Sequence, residues 1–149
     1  FDFQTIQVNF NFTDQRALDI GLFQRCSEKG VGIIVRTPLC FGFLTGHYSV
    51  KNSYDTKDHR GNWSKEQVER WANAYKLFST GLKEQGHQTN AQIALRFCLS
   101  YPNVSTIIPG MLTDEHVQEN SASSQLGPLP AKDLQRIHQI YQENSFFES

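Results

Sequence analysis

Apolar and polar positions change period several times along this chain, and each change marks an element. Thr5 to Phe10 alternates and carries β-friendly residues, which predicts a short strand. Thr13 and Asp14 can cap a helix, and Leu18, Leu22 and Cys26 recur at spacing four. The pattern predicts one helix to about Lys29, with Gly30 placed to end it. Val31-Gly32-Ile33-Ile34-Val35 is a short continuous apolar run, the pattern of a strand covered on both faces. A stretch rich in Gly, Ser, Asn and Asp, from about Pro38 to Trp63, reads as loop.

Helix signals then dominate. Ser64 with Gln67 reads as a capping box ahead of a stripe of Val68, Trp71, Ala72, Tyr75, Phe78 and Leu82, with Gly86 as the stop. Thr89 with Gln92 repeats the capping logic for a helix carrying Ala91, Ala94, Leu95, Cys98 and Leu99. Val104 to Ile108 predicts a third strand, closed by Pro109-Gly110. Thr113 caps a helix to about Ser121, and a last helix with Leu134, Ile137 and Tyr141 follows Leu129-Pro130.

Strands alternating with helices in this order predict right-handed crossovers and a parallel sheet in an α/β fold. The 149 residues suit one domain, residues 1–149, without an internal repeat or linker. Three strands cannot close a barrel, and an eightfold barrel takes about 250 residues. The predicted sheet is therefore unfinished on at least one edge, with an apolar barrel-lining face left without partners.

A net charge of -1 at pH 7 gives no general electrostatic drive toward nucleic acid or anionic lipid. No run of about 18 apolar residues is present and the first residues do not read as a secretory leader, so a cytoplasmic location is expected. Cys26, Cys40 and Cys98 are odd in number and widely spaced, which argues against a disulfide framework and against a zinc site. The sequons at Asn11, Asn62 and Asn103 then read as chance matches. The chain opens on Phe1 and its one methionine is Met111, so it is expected to begin inside a longer coding sequence.

In parallel α/β folds, ligands meet the loops at the carboxyl ends of the strands. Behind the second strand, Gly42 and Gly46 in the segment Arg36 to Gly46 let the backbone turn and approach a phosphate, leaving amide N–H groups as donors. Behind the third, Gly110 is followed closely by a helix N-terminus, where orphan amides and the helix dipole favour an anion. Asp114 and Glu115 already bring negative charge to that turn, so capping explains part of it.

Taken together, these segments resemble the C-terminal half of the aldo-keto reductases, over about Thr5 to Leu134. Gln7 sits where that family's sixth strand carries a glutamine for the nicotinamide carboxamide. Pro38-Leu39-Cys40-Phe41-Gly42-Phe43-Leu44-Thr45-Gly46-His47 is similar to the family's loop along the cofactor pyrophosphate. Ile108-Pro109-Gly110 through Glu119-Asn120 is similar to the segment at the adenosine end, and Thr89 to Leu95 to the helix before strand eight. The resemblance implies part of a (β/α)8 barrel and a contribution to hydride transfer between NADP(H), with NAD(H) as the alternative, and a small aldehyde or ketone. It implies cofactor contacts from Gln7, Arg36, Leu39, Gly42, Leu44, Gly110, Glu119 and Asn120. The family's catalytic tyrosine, lysine, aspartate and histidine come from the first half of the barrel, so no catalytic residue and no metal ligand is assigned here. This chain alone is expected to be inactive, and to recruit the missing N-terminal half or associate with itself. A non-catalytic half-barrel for dinucleotide sensing or protein assembly is the competing reading.

Three positions depart from the family pattern. Arg36 replaces an aromatic ring against the nicotinamide, as one branch of the family allows. Leu112 stands where an arginine often meets the 2′-phosphate of NADP, with Arg96 as a substitute cation. His47 replaces a lysine after the glycine loop. Asp58-His59-Arg60 is expected to be a solvated loop, while the resemblance, through a similar Asp-His-Arg in the family, implies that it could cover the cofactor or serve the fold. His87, His116 and His138 have no partner at metal-ligand spacing.

Overall fold

The computed structural model describes residues 2–49, 54, 58–79, 82 and 88–147. Strands β1 (Thr5–Asn9), β2 (Gly32–Arg36) and β3 (Val104–Ile108) form one parallel sheet in the order β1-β2-β3. Helices α1 (Arg16–Asp19) and α2 (Leu22–Glu28) connect the first two strands, and α3 (Lys65–Ser79) and α4 (Asn90–Leu99) lie between β2 and β3. Helices α5 (Asp114–Ala122) and α6 (Ala131–Glu143) follow. The α/β class and the parallel order match the expectation from the pattern.

The helix expected from Thr13 to Lys29 is two helices. Gly21 takes φ 68 between them, a left-handed conformation that glycine adopts freely and that breaks the hydrogen-bond ladder. Neither Thr13 nor Asp14 caps α1, because Gln15 holds that position. Gly30, at φ 65, closes α2 as expected. The stretch 38–63 contains two short 3₁₀ segments, Cys40–Thr45 and His59–Asn62. Ser64 Oγ accepts from Gln67 N at 3.0 Å ahead of α3, whereas the Gln67 amide donates to Phe146 O at 2.8 Å and ties down the C-terminal segment. Around Thr89 the full capping box forms, with Gln92 N donating to Thr89 Oγ1 and Thr89 N donating to Gln92 Oε1. The expected stop at Gly86 lies outside the described residues.

The two sheet faces differ in kind. Ile6, Val8, Ile33 and Val35 point to the helices, where Phe10, Phe97 and Leu95 are fully buried. On the opposite face Thr5, Gln7, Asn9, Arg36, Ser105 and Thr106 are exposed. The expectation that the central strand is covered on both faces is corrected, and the expectation of an apolar open face holds only in part, because Ile34 and the exposed Ile108 share it with these polar residues. A register shift between Ile33 and Ile34 turns both Ser105 and Thr106 to the open side. Gly32 lies beneath the shift, and a Cβ there would meet Ser105 Oγ at 2.5 Å.

Helix α4 is buried nearly all round. Its Arg96 is also buried, and the guanidinium donates to Gly127 O (2.8 Å), Pro128 O (2.9 Å) and Gln88 Oε1. Arg96 therefore pins the turn before α6 and does not act as a substitute cation for a ligand. Among the described residues no helix is long and apolar enough to cross a membrane.

Candidate functional site

A cleft of about 490 Å³ opens at the carboxyl ends of β2 and β3. Its walls come from the segment after β2, the turn at the start of α4, the segment after β3 and the first turns of α5. Leu39, Gly42, Gly110, Glu119 and Asn120 all line it, so two segments about 70 residues apart in the chain converge on one space, as connections over a parallel sheet direct. Gln7 and Arg36 do not. They stand on the open sheet face at β1 and β2. Leu44 is 1% exposed and supports the loop from beneath.

The segment after β2 is held in an unusual conformation. Thr37, Cys40 and Phe41 have φ of 55°, 46° and 55°, and Gly42 has 93°. A left-handed φ at a non-glycine residue costs about 1–3 kcal/mol and persists only where surrounding bonds fix it. Those bonds are visible. Asn11, 3% exposed, donates from Nδ2 to Thr37 O at 2.9 Å, while its Oδ1 accepts from Thr13 N (2.9 Å) and Thr13 Oγ1 (2.8 Å). Cys40 Sγ lies 3.4 Å from that same hydroxyl. With its one proton given to Asn11, the hydroxyl turns a lone pair toward the sulfur, so the thiol donates. Burial pushes the Cys40 thiol up to about 12, which keeps it protonated and inert.

The glycines of this loop serve the loop itself. Gly42 N donates to Leu39 O at 2.9 Å and Gly46 N donates to Phe43 O at 3.2 Å, so these amides are not offered to a phosphate as the sequence suggested. A Cβ on Gly46 would meet both Asn90 Nδ2 and Tyr75 Cε2 at 2.9 Å. Gly110 is different: a Cβ there would meet nothing within 4 Å, so this wall is open to an incoming group.

Asp58-His59-Arg60 is solvated only in part: His59 is exposed, whereas Asp58 and Arg60 are half-buried and paired. Asp58 Oδ2 accepts from Arg60 Nη2 at 2.6 Å, and its Oδ1 accepts from Arg60 N at 3.0 Å. The guanidinium stacks over Tyr48 at 4.3 Å and Tyr54 at 5.0 Å from the ring centroids. These hydrogen bonds hold the Asp58 carboxyl down at about 2 and raise Arg60 further above its ordinary value. His59 edges onto Phe41 and Trp63. Arg60, His59, Phe41 and Tyr48 all reach the cleft, and the sequence reading assigned none of them. The signal that could have found them was the aromatic content of residues 41–63 around a single Asp-x-Arg pair.

On the opposite wall, Thr113 caps α5 and its hydroxyl accepts from His116 N at 3.3 Å. Leu112 N donates to His116 Nδ1 at 3.3 Å, so the ring folds back over the turn. Leu112 itself is 83% exposed at the rim. Arg60 is the one permanent cation among the described lining residues, and Glu119 the one carboxylate. His138, away from the cleft, pairs with Gln15 Oε1 at 2.9 Å and braces α6. His87 lies outside the described residues.

The parallel half-sheet with a cleft at its strand ends defines the class, and the comparisons with known proteins give the family. The Aldo/keto reductase family model matches residues 1–142, and the chain belongs to that family. The glycerol dehydrogenase of Gluconobacter oxydans superposes with a TM-score of 0.79 at 19% identity, over 97% of this chain and 44% of that one. An aldo-keto reductase of Bacillus halodurans in its apo form gives 0.65 at 22% identity, over 93% of this chain and 44% of that one. These two show the shared fold. The L-glyceraldehyde 3-phosphate reductase of Escherichia coli K12 is 29% identical over 139 residues, 89% of this chain and 40% of its own length. A probable voltage-gated potassium channel subunit beta of Arabidopsis thaliana is 28% identical over 145 residues, 91% of this chain and 43% of its own length. The chain thus spans less than half the length of these curated relatives.

Proposed function

We propose that this chain forms the dinucleotide-binding wall of an oxidoreductase acting on small aldehydes or ketones, with NADP(H), or in its place NAD(H), as cofactor. The observation that carries this is the convergence of Leu39, Gly42, Gly110, Glu119 and Asn120 on one cleft at the strand ends. Its volume of about 490 Å³ falls within the usual 300–1,000 Å³ of cofactor sites. The lining also fits the group. Leu39, Phe41 and Ile108 give apolar surface for rings, and Asn120 and Glu119 give polar atoms for an adenine or ribose.

When bound, the cofactor supplies or accepts the hydride. The residues of this chain bind and orient it. Gln7 and Arg36 would meet its nicotinamide end from the open sheet face, beyond the cleft, and Leu44 acts only by supporting Leu39. No residue here is assigned as proton donor. Titration calorimetry of the full-length protein with NADPH is the test. Asn120→Ala with Glu119→Ala is expected to raise Kd at least tenfold, because two polar contacts are lost together. Unchanged affinity overturns the assignment. A second reading, a dinucleotide-responsive assembly module, draws on the likeness to the proteins named as channel subunits. Oxidation of NADPH in the presence of small aldehydes separates the two.

A further inference from the structure

The bond that ties the Thr37 backbone to a distant part of the chain runs back to the segment after β1, which takes no part in the cleft wall. Asn11 is 3% exposed, and it is the one side chain among the described residues that joins the two segments through a donor to Thr37 O. Its orientation is fixed from the other side by Thr13 N and Thr13 Oγ1 on Oδ1, and by the backbone bridge between Asn11 and Asp14. The amide therefore cannot turn its donor away from Thr37. Thr37, Pro38 and Leu39 follow directly as cleft lining, and Cys40 N donates to Thr37 O at 3.0 Å, so that carbonyl anchors both the Asn11 amide and the next turn.

We propose that Asn11 is a positioning residue for the cofactor cleft, setting where Thr37 to Leu39 stand through the Thr37 carbonyl. The inference rests on the cofactor reading above. Asn11→Asp tests it with the least change in volume, since the carboxylate keeps the two bonds from Thr13 but turns an acceptor on the Thr37 carbonyl. The loop after β2 then moves while the α5 wall does not. The whole dinucleotide spans both walls, whereas adenosine, which lacks the pyrophosphate, would meet only the α5 wall that carries Glu119 and Asn120.

In the full-length protein, Asn11→Asp is expected to raise the Kd for NADPH about tenfold and to leave the Kd for adenosine within about twofold. A merely structural defect would lower both affinities together. NADPH affinity equal in wild type and Asn11→Asp overturns the proposal while leaving the cofactor reading intact. Equal loss for NADPH and adenosine also overturns it. A wild-type protein that binds neither NADPH nor adenosine overturns the cofactor reading and this inference with it.

Discussion

A Cβ on Gly42 would lie 2.7 Å from Cε2 of Tyr48, so the ring rests directly on the glycine backbone. Gly42 also holds φ 93, outside the range of ordinary L residues. Gly42→Ala meets both obstacles at once. It is expected to destabilise the protein by about 1–3 kcal/mol, read as a lower thermal midpoint, with Tyr48→Ala in the same background recovering part of the loss. An unchanged midpoint would show that the loop accommodates the methyl group.

Leu112 presents an apolar side chain at the rim where Gly110 leaves the wall open. The permanent cation among the described cleft residues, Arg60, is already engaged by Asp58. Discrimination between NADPH and NADH should therefore be weak, and Leu112→Arg should shift preference toward NADPH by about tenfold, the worth of one charge-assisted contact at an exposed site. The ratio of Kd values for the two cofactors, before and after the substitution, checks it. A wild-type preference above about 100-fold contradicts the reading.

Asp58 titrates at about 2, below its ordinary 3.8, chiefly because Arg60 donates to the carboxylate side chain. A carboxyl depressed in the folded state contributes stability that is complete above the ordinary value. That contribution is lost as pH falls toward 2. Carbon-13 titration of the Asp58 carboxyl should find a midpoint near 2 in the wild type. It should return toward 3.8 in Arg60→Met. A wild-type midpoint near 3.8 sinks the clamp.

Cys26, Cys40 and Cys98 are all buried, and burial raises the thiols of Cys40 and Cys98. None should react with a disulfide reagent in the native protein at about pH 8, and all three should react in denaturant. Peptide mapping by mass spectrometry identifies the labelled positions. Rapid native labelling of Cys40 would mean that the loop after β2 opens far more readily than its bonds to Asn11 and Thr13 suggest.

The regular elements were legible because their periods are long and their caps explicit. Thr89 with Gln92 and Thr113 ahead of α5 mark helix starts that the structure places at those residues. The break at Gly21 was not legible, since Leu18, Leu22 and Cys26 keep helical spacing across it. The cleft was legible in part. Leu39, Gly42, Gly110, Glu119 and Asn120 line it, but Gln7 and Arg36 occupy a neighbouring face and Leu44 lies underneath. Residue type does not reveal left-handed backbone at Thr37, Cys40 and Phe41, because tertiary bonds impose it. The clamped setting of Arg60 was not legible for a related reason: its stacking partners, Tyr48 and Tyr54, are set by the chain's path and not by spacing.

The division of β1 and β2 into a helix-facing row and an open row has a genetic reading. Along Thr5 to Asn9 the burial alternates at every residue. A saturation scan of these strands should then show tolerance oscillating with a period of two, and the oscillation should depend on what is selected. Selection for abundance should penalise Ile6, Val8, Ile33 and Val35, while selection for cofactor-dependent growth should add penalties at Gln7 and Arg36 in the opposite phase. One sheet would thus carry two interleaved records, and an inheritable change could alter one while leaving the other readable.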